Sequence, residues 1–416
     1  MTAAGFRSAL DDVDRMCANH KACQKKYGEK FSDRVIAAIK TYEETPMELT
    51  GVRLDRAVGG KVIVNAELAA VSIFRALYSR DVYGDLPAML DVLESRDEST
   101  LRDYVNVLGF PIDHMYGRGM DVAISCRAGF RETPGGRSHH FEGGELLARW
   151  MGPMLYHEGC EDYFRSDPDP SVRPTKSDKP ILLVAGTADP ITPPSYADYV
   201  KPNFSNLTYV EFPNTGHGGL VSNFDCGKQI IVDFVTQPNA EVDASCAAET
   251  PAPDFFINIR KTKKPYAFAR NLQSGIYPRL PILAVGSLLL VLIGFPLGWI
   301  ARKIDATETI SLRGGRLLAW SGSALAIGAS ALAIKTILDT GLNHTASLPV
   351  GVPQSITLSG WLALIGAVAT IAAIVQLFRQ NGEQRSPIGT KIAVVSAAIG
   401  TIILFFFVRS IGVGPF

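Results

Sequence analysis

The chain has 416 residues, of which 47% are hydrophobic, and its 41 acidic residues balance its 41 basic residues. A protein without excess positive charge is a poor candidate for binding nucleic acid, because it lacks a basic face to neutralise phosphates. The averages combine two different parts. Residues 1–255 carry most of the acidic residues and all six cysteines, whereas beyond residue 280 acidic residues are rare and Leu, Ile, Ala, Val and Gly dominate. The composition predicts a water-exposed part followed by a part in lipid.

The first 110 residues are predicted to be mostly helical. Apolar residues recur there with the spacing of one helix face, and one extended stretch interrupts the pattern. The helical stretches are residues 31–42, 68–77 and 86–93, and the extended stretch, a strand or a pair of strands, is residues 50–64.

An α/β pattern begins after Lys179. Residues 180–186 are a short apolar run that ends in glycine, as a buried parallel strand does. A proline-rich turn and a helix over residues 195–200 follow, and then a second strand over residues 207–212. The next loop holds a histidine between glycines, and residues 228–235 are predicted to form another helix. This order of elements is typical of a layered α/β fold.

Four apolar segments in the last third approach the ~20 residues that a membrane-spanning helix needs. They are residues 280–301, 317–338, 356–378 and 392–408. Buried core helices of a water-soluble protein are the alternative, but four such runs in tandem would present almost no polar face to water. One segment holds a charge, Lys335, close enough to its end to reach the interface. We therefore expect a bundle of about four transmembrane helices.

Features inside the apolar segments bear on packing and function. Pro296 is predicted to kink the first helix. Without paired charges or interrupted helices in these segments, an anchor is a better interpretation than a transporter. Small residues allow close helix packing, and they occur at Gly322, Gly328, Ser330 and Gly366.

The loops between the apolar segments predict their orientation. The first and third loops carry Lys and Arg, whereas the second loop, residues 339–355, has neither. The positive-inside rule places the first and third loops in the cytoplasm, and residues 1–279 and the C-terminus on the other side. A basic stretch before the first helix opposes this, but long translocated domains obey the rule weakly, and such a stretch can lie on anionic head groups. The loop residues are Arg302, Lys303, Arg313, Arg316, Arg379, Arg385 and Lys391, the tail has Arg409, and the opposing residues are Arg260, Lys261, Lys263, Lys264, Arg270 and Arg279.

The six cysteines all precede the apolar segments, and an even count on one side of a membrane fits disulfides in an oxidising compartment. Six ordinary thiols in a cytoplasmic domain are the alternative. A zinc site is disfavoured, because the chain has no CxxC pair or HxxxH spacing. The expected pairs are Cys17 with Cys23, Cys226 with Cys246 and, by elimination, Cys126 with Cys160.

The motifs GTADPITP and TGHGG, at residues 186–193 and 215–219, carry a resemblance to a known family. With CEDYF at residues 160–164 and the cysteines, they make residues 5–250 similar to α/β-hydrolases of the tripeptidyl and prolyl aminopeptidase-like family. The resemblance implies that Asp189 is the acid and His217 the general base of a Ser-Asp-His triad. Taken alone, a turn-forming Asp before Pro190 and an ordinary loop histidine would be sufficient explanations.

The resemblance, together with the apolar segments and the basic stretch before them, predicts a domain order. Residues 1–155 would be a mostly helical lid, residues 156–255 the last strands of the hydrolase core, residues 256–279 a basic linker and residues 280–410 the membrane bundle. The expected fold class is therefore α/β: a partial α/β-hydrolase, followed by an all-α transmembrane bundle.

The sequence departs from the family in its nucleophile. The family's serine lies in a GxSxG elbow ahead of the acid and the base, and GxSxG does not occur in this chain. Ser8 has the wrong spacing, and Ser195 follows Asp189, out of order. We expect the nucleophile and an export signal to lie in sequence that precedes this chain, so that the chain alone is inactive.

A second departure concerns specificity. Relatives often carry an acidic residue just after the cysteine at the position of Cys126, where this chain has Arg127. Glu161 and Asp162 are the nearest acidic alternatives, although solvated loop acids are the simpler interpretation. Esterase and amidase activities therefore remain open beside the aminopeptidase activity.

Two functional hypotheses follow. The first is a membrane-anchored extracytoplasmic serine hydrolase without a cofactor, whose partners are the lipid bilayer and a small peptide, amide or ester substrate. The second is a catalytically inactive hydrolase-like binding module on a membrane bundle.

Overall fold

The computed structural model describes residues 2–53, 57–108, 146–147, 149–150, 176–218, 224–304, 313–345, 347–379 and 388–414. These residues have mixed α/β content and are mostly helical. The chain divides into two units, Met1–Ile257 and Asn258–Phe416.

Helices packed on an apolar core form the first part of the N-terminal unit. Phe6, Tyr42 and Phe74 are among its largest fully buried side chains, and Asn65 caps one helix by accepting a hydrogen bond from the Leu68 amide. An antiparallel pair of strands lies at the predicted extended stretch, residues 50–64, but its first strand begins earlier, at Met47, and ends at Thr50. The elements are α1 (Thr2–Ala18), α2 (Lys21–Tyr27), α3 (Phe31–Glu44), β1 (Met47–Thr50), β2 (Lys61–Val64), α4 (Ala66–Ala76), α5 (Arg80–Tyr83), α6 (Leu86–Ser95) and α7 (Glu98–Leu108).

A parallel strand pair follows in the same unit. Strands β3 (Ile181–Gly186) and β4 (Leu207–Phe212) pair from Ile181 opposite Leu207 to Gly186 opposite Phe212. The intervening helix is α8 (Pro194–Val200). Both strands and the crossover helix lie where the sequence predicts them.

Helical segments that follow β4 in the chain pack on it. Helices α9 (Phe224–Thr236) and α10 (Ser245–Ala248) pack on Val210 and Phe212 through a small buried cluster that includes Ile230. The helix predicted over residues 228–235 is therefore present and longer at both ends, because the buried contact with β4 begins at its first turn.

Two of the three predicted disulfides are present. Cys17 is bonded to Cys23, and Cys226 is bonded to Cys246 across a sequence separation of 20 residues. The second bond joins α9 to α10 behind β4. Cys126 and Cys160, the predicted third pair, lie outside the described residues.

The C-terminal unit contains four helices that are long and apolar enough to cross a membrane, with candidate spans of 23 to 29 residues among the described residues. The prediction of about four such helices is confirmed. They are α12 (Arg279–Ile304), α13 (Arg313–Asn343), α14 (Thr357–Phe378) and α15 (Ile388–Ser410).

The helices extend beyond the predicted apolar segments. Asp339, predicted to lie in the second loop, is inside α13, where it forms an i,i+4 ion pair with Lys335. The prediction that these segments hold no paired charges is therefore wrong at this end of α13. An i,i+4 pair stabilises a helix, and two long side chains near its end can reach water, so the helix continues past the apolar run. The basic residues assigned to the first loop likewise lie at the ends of α12 and α13, and Lys391 lies inside α15.

Pro296 lies inside α12, where its ring nitrogen cannot donate the hydrogen bond that the carbonyl of Leu292, four residues earlier, would otherwise accept. The indole Nε1 of Trp320 in α13 donates to that carbonyl at 3.1 Å. A neighbouring helix thus satisfies the backbone group that proline frees, as an apolar environment requires.

Small residues bring α13 and α14 together. A Cβ atom added at Gly322 would lie 2.6 Å from the carbonyl oxygen of Gly366, and one added at Gly366 would lie 2.7 Å from that of Gly322. Ser330 is buried and bonds its own helix. The expectation for Gly328 was wrong, since a Cβ there would meet no atom within 4 Å. Two of the four predicted small residues therefore form the close crossing.

The stretch predicted as a basic linker contains secondary structure. Strand β5 (Ile259–Lys261) pairs antiparallel with β6 (Gly351–Pro353) in the second loop, and α11 (Lys264–Gln273) follows. Phe268 of α11 contacts Phe407 near the end of α15 edge to face, at 5.6 Å between ring centroids. The basic stretch, the second loop and the C-terminal end of α15 therefore pack together at one end of the helices.

Candidate active site

The site lies beyond the carboxyl ends of the two parallel strands. Asp189 follows β3 by three residues, and His217 follows β4 by five. The side chains meet: Nδ1 of His217 is 2.9 Å from Oδ2 of Asp189. Residues 28 positions apart in sequence converge because parallel strands end at the same edge, where sites form in α/β sheets.

Backbone hydrogen bonds tie the two loops to each other. The Thr187 amide donates to the Phe212 carbonyl at 3.0 Å, and the Ala188 amide donates to the Thr215 carbonyl at 2.9 Å. The Asn214 amide donates to the Thr187 hydroxyl at 3.0 Å. These bonds fix the spacing between the acid loop and the histidine loop.

Two glycines permit the close approach of the loops. A Cβ atom added at Gly186 would lie 2.3 Å from the carbonyl oxygen of Gly216. One added at Gly216 would lie 2.3 Å from the carbonyl oxygen of Leu77 and 2.6 Å from the Tyr83 hydroxyl. Glycine is therefore required at both positions by space rather than by backbone angle.

Four hydrogen bonds orient the Asp189 carboxylate, whose side chain is only 3% exposed. Its Oδ1 accepts from the amides of Ile191 and Thr192 at 2.7 and 2.9 Å, and its Oδ2 accepts from the Thr192 hydroxyl at 2.8 Å and from His217. Burial alone would raise the pKa of Asp189, but hydrogen bonds from His217, Thr192 and Ile191 outweigh it and lower that pKa. The group therefore stays ionised, and its proline-rich turn supplies the donors.

The Asp189 carboxylate sets the protonation of His217. An ionised carboxylate can only accept, so Nδ1 of the imidazole carries a proton and donates it. Nε2, on the other side of the ring, is then the nitrogen that can take up a proton. The hydrogen bond to Asp189 raises the pKa of His217, burial opposes the rise, and the negative charge of Asp189 adds to it. The side chain is 42% exposed, so the imidazole is accessible. This arrangement suits a general base.

The helical part of the unit supplies residues that the sequence did not reveal as site residues. The Tyr78 ring packs edge to face on the His217 ring at 5.4 Å between centroids. The Tyr83 hydroxyl lies 2.9 Å from the Leu77 carbonyl and 3.0 Å from the Ala188 carbonyl. Burial raises the pKa of Tyr83 well above its usual value, so this hydroxyl remains a donor. Nothing in the spacing of these tyrosines indicates a site; only the fold brings them to it.

The first helix also contacts the acid loop. A Cβ atom at Gly5 of α1 would lie 2.2 Å from the Pro190 carbonyl oxygen. Asp12, further along α1, is buried; burial raises its pKa, and a hydrogen bond with Thr187 opposes the rise. Helix α1 therefore packs directly against the turn that holds Asp189.

The remaining predicted residues fall into two groups. Ser8 lies in α1 and Ser195 in the first turn of α8. Glu161 and Asp162 lie outside the described residues, as do Cys126 and Cys160. Among the described residues, no group of three or more His, Cys, Asp or Glu side chains could hold a metal ion.

Comparison with known families finds one match, over a stretch that includes the pair. Residues 148–246, about a quarter of the chain, match the family model described as TAP-like protein, an α/β-hydrolase family. The matched stretch contains Asp189, His217 and both cysteines of the bond between Cys226 and Cys246. No curated protein and no solved structure matches the chain.

Proposed function

We propose that this protein is a membrane-anchored serine hydrolase, in which Asp189 and His217 form the acid and base of a Ser-Asp-His triad. The observation that carries the proposal is the 2.9 Å bond between Nδ1 of His217 and Oδ2 of Asp189 beyond two parallel strand ends. The match of residues 148–246 to a TAP-like α/β-hydrolase family supports it.

In the proposed reaction, Nε2 of His217 removes the proton from a serine hydroxyl as that oxygen attacks the substrate carbonyl. His217 then donates the proton to the leaving group, and a water molecule activated in the same way releases the acyl group. Asp189 fixes the imidazole tautomer and stabilises the imidazolium that forms. The proposal assigns the serine to sequence outside these 416 residues, which contain no GxSxG elbow.

The substrates are small peptides, amides or esters. Tyr78, in edge-to-face contact with the His217 ring, supplies an apolar surface next to the reacting position. In this proposal the helical segment that carries Tyr78 shapes the substrate pocket.

The N-terminal unit is extracytoplasmic in this proposal. Two disulfides support an oxidising compartment. The basic ends of α12, α13 and α15 support a cytoplasmic location for the first and third loops. The four apolar helices serve as the anchor.

The test begins with the coding DNA upstream of Met1. An in-frame GxSxG after an apolar strand is expected; with Met1 as the true start and no such motif, the hydrolase proposal is wrong. The full gene product is then treated with a fluorophosphonate probe, which labels activated serines. We expect labelling that is lost in His217→Ala.

A matched control is available in the same unit. His20 also contacts a carboxylate, with Nε2 3.4 Å from Oδ1 of Asp254, but its partner is exposed at the surface. We expect His20→Ala to keep full labelling. Labelling that survives His217→Ala, or that is lost equally in both variants, would refute the role assigned to His217.

The absence of GxSxG from these 416 residues favours a second candidate, an inactive hydrolase-like binding module on the membrane bundle. It predicts no probe labelling of the full gene product, together with intact folding of the N-terminal unit.

A further inference from the structure

A cavity of about 420 Å³ lies among three of the apolar helices. Helices α12 and α15 form its two walls, and α13 contributes one residue, Arg316. The lining includes Leu290, Val291, Gly294, Phe295, Arg316 and Thr390.

The lining is mostly apolar and carries its charge at one end, while the hydroxyls of Ser287 and Ser396 lie away from that end. Among the described lining residues, Arg316 carries the single charge, and its guanidinium donates to the Thr390 hydroxyl at 3.1 Å. Leu290 and Ile392 have exposed fractions of 74% and 61%, so the cavity opens sideways, toward what would be lipid. A ligand with an apolar chain and an anionic group matches this distribution.

The charged end of the cavity lies near the ends of the helices. Arg316 is three residues after the start of α13, Thr390 is two after the start of α15, and Gly298 is six before the end of α12. At 1.5 Å per residue these positions are within roughly 10 Å of the helix ends. In a bilayer this is the depth at which acyl chains give way to head groups.

The chemistry at that end suits a phosphate. A guanidinium presents its N–H donors in a planar fork that matches two phosphate oxygens, and a neighbouring hydroxyl can contribute a further hydrogen bond. The bilayer supplies this group together with acyl chains, whereas free phosphate has nothing to place against Leu290, Val291 and Phe295.

We propose that this cavity binds one anionic phospholipid of the bilayer, with its phosphate at Arg316 and Thr390 and an acyl chain between α12 and α15. The inference does not depend on the proposed hydrolase activity or on the orientation of the helices.

The experiment uses the full chain, purified in a mild detergent. It is titrated in parallel with phosphatidylglycerol and phosphatidylcholine of the same acyl chains, and bound lipid is counted by native mass spectrometry. We expect one phosphatidylglycerol retained per chain and weaker retention of phosphatidylcholine. Equal retention of both lipids, or saturation of the site by inorganic phosphate alone, would overturn the proposal.

The charge is tested with Arg316→Gln, for which we expect a loss of about tenfold to a hundredfold in phosphatidylglycerol affinity, as is typical when a charge-assisted hydrogen bond is removed. Arg316→Lys keeps the charge but not the planar fork of donors, so its phosphatidylglycerol affinity should lie between those of the wild type and Arg316→Gln. The matched control is Lys391→Gln, which removes the same charge from an exposed position at the same end of α15, outside the cavity. An equal loss in Arg316→Gln and Lys391→Gln would show general attraction to the helix ends and would overturn the site.

The apolar channel is tested with Gly294→Leu. Gly294 lines the cavity, and a Cβ atom there meets no atom within 4 Å, so the substitution introduces no clash at that carbon and adds an apolar side chain at the cavity wall. We expect lipid retention to be lost while the chain stays folded. Gly328→Leu is the control, since Gly328 has the same open surroundings and does not line the cavity. Unchanged retention in Gly294→Leu would refute the position of the acyl chain.

Discussion

Replacing Gly216 by alanine tests whether the helical segment sets the position of the histidine loop. The added methyl carbon would lie 2.3 Å from the carbonyl oxygen of Leu77 and 2.6 Å from the hydroxyl of Tyr83, whereas ordinary contacts begin near 3.4 Å. The loop or the helical segment must therefore move by about an ångström. Overpacking of this kind costs about 1–3 kcal/mol of unfolding free energy.

The same movement reaches His217, the next residue in the chain. Its bond to Asp189 is 2.9 Å long, and a shift of about an ångström takes it beyond hydrogen-bonding distance. That bond is the largest influence raising the pKa of His217, so the pKa should fall towards about 6.5, the value of an unperturbed imidazole.

The assay combines chemical denaturation with an NMR titration of the imidazole resonances. Gly28→Ala is a useful control, because Gly28 has a positive φ of 79° and open surroundings. It should lose stability through backbone strain and leave the titration of His217 unchanged. If Gly216→Ala matches the wild type in both stability and titration, the helical segment does not position the histidine loop.

Three further predictions concern the protonation of His217, the two disulfides and the Leu292 carbonyl. Because the pKa of His217 is raised in the folded protein, probe labelling should fall as the pH drops through that raised pKa. The charged imidazole also contributes to the free energy of unfolding. That contribution is complete below the pKa of the unfolded chain and should be lost as the pH rises through the raised pKa. Cys226→Ser should lower the free energy of unfolding by about 3 kcal/mol and Cys17→Ser by about 2 kcal/mol, because the disulfides close loops of 20 and 6 residues. Urea denaturation measures both losses. Trp320→Phe should lower the free energy of unfolding in detergent by about 1–3 kcal/mol. The loss should be clearly smaller in a Pro296→Ala background, where the amide of residue 296 can donate to the Leu292 carbonyl. An equal loss in both backgrounds would contradict the role of Trp320 as the donor to that carbonyl.

The sequence predicts the strand pair and the four apolar helices well because both carry strong local patterns. Residues 181–186 are uniformly apolar and end in glycine, and each membrane-length helix is a long apolar run. Helix ends were less predictable. The ion pair between Lys335 and Asp339 continues α13 past the last apolar residue, and a hydropathy pattern does not register such pairs.

The sequence predicts the acid and the base of the candidate site but not the tyrosines that pack beside them. Asp189 and His217 were found through their motifs, and the structure brings them into contact. Tyr78 and Tyr83 were not found, because their role depends on contacts made over about 105 to 139 residues, which no local spacing records. Gly216 belongs to a motif that the sequence shows, but its close approach to Leu77 and Tyr83 is not visible in a single sequence.

The acid–base pair is held by more constraints than a turn and a loop histidine would need. The carboxylate accepts four hydrogen bonds, three of them from its own turn, although a surface aspartate before a proline would be satisfied by water. The loop that carries the imidazole is held by hydrogen bonds to the Thr187 hydroxyl and the Ala188 amide, and its close packing depends on Gly216. Rigid placement of an imidazole with Nδ1 committed to a carboxylate stabilises little by itself, because half of the ring is exposed to water. Rigid placement instead holds Nε2 of His217 in one direction and one protonation state. Nε2 is then ready to accept a proton from a donor that lies beside it. The arrangement contributes little to stability, and it is consistent with the proposed role, in which a serine hydroxyl is the proton donor.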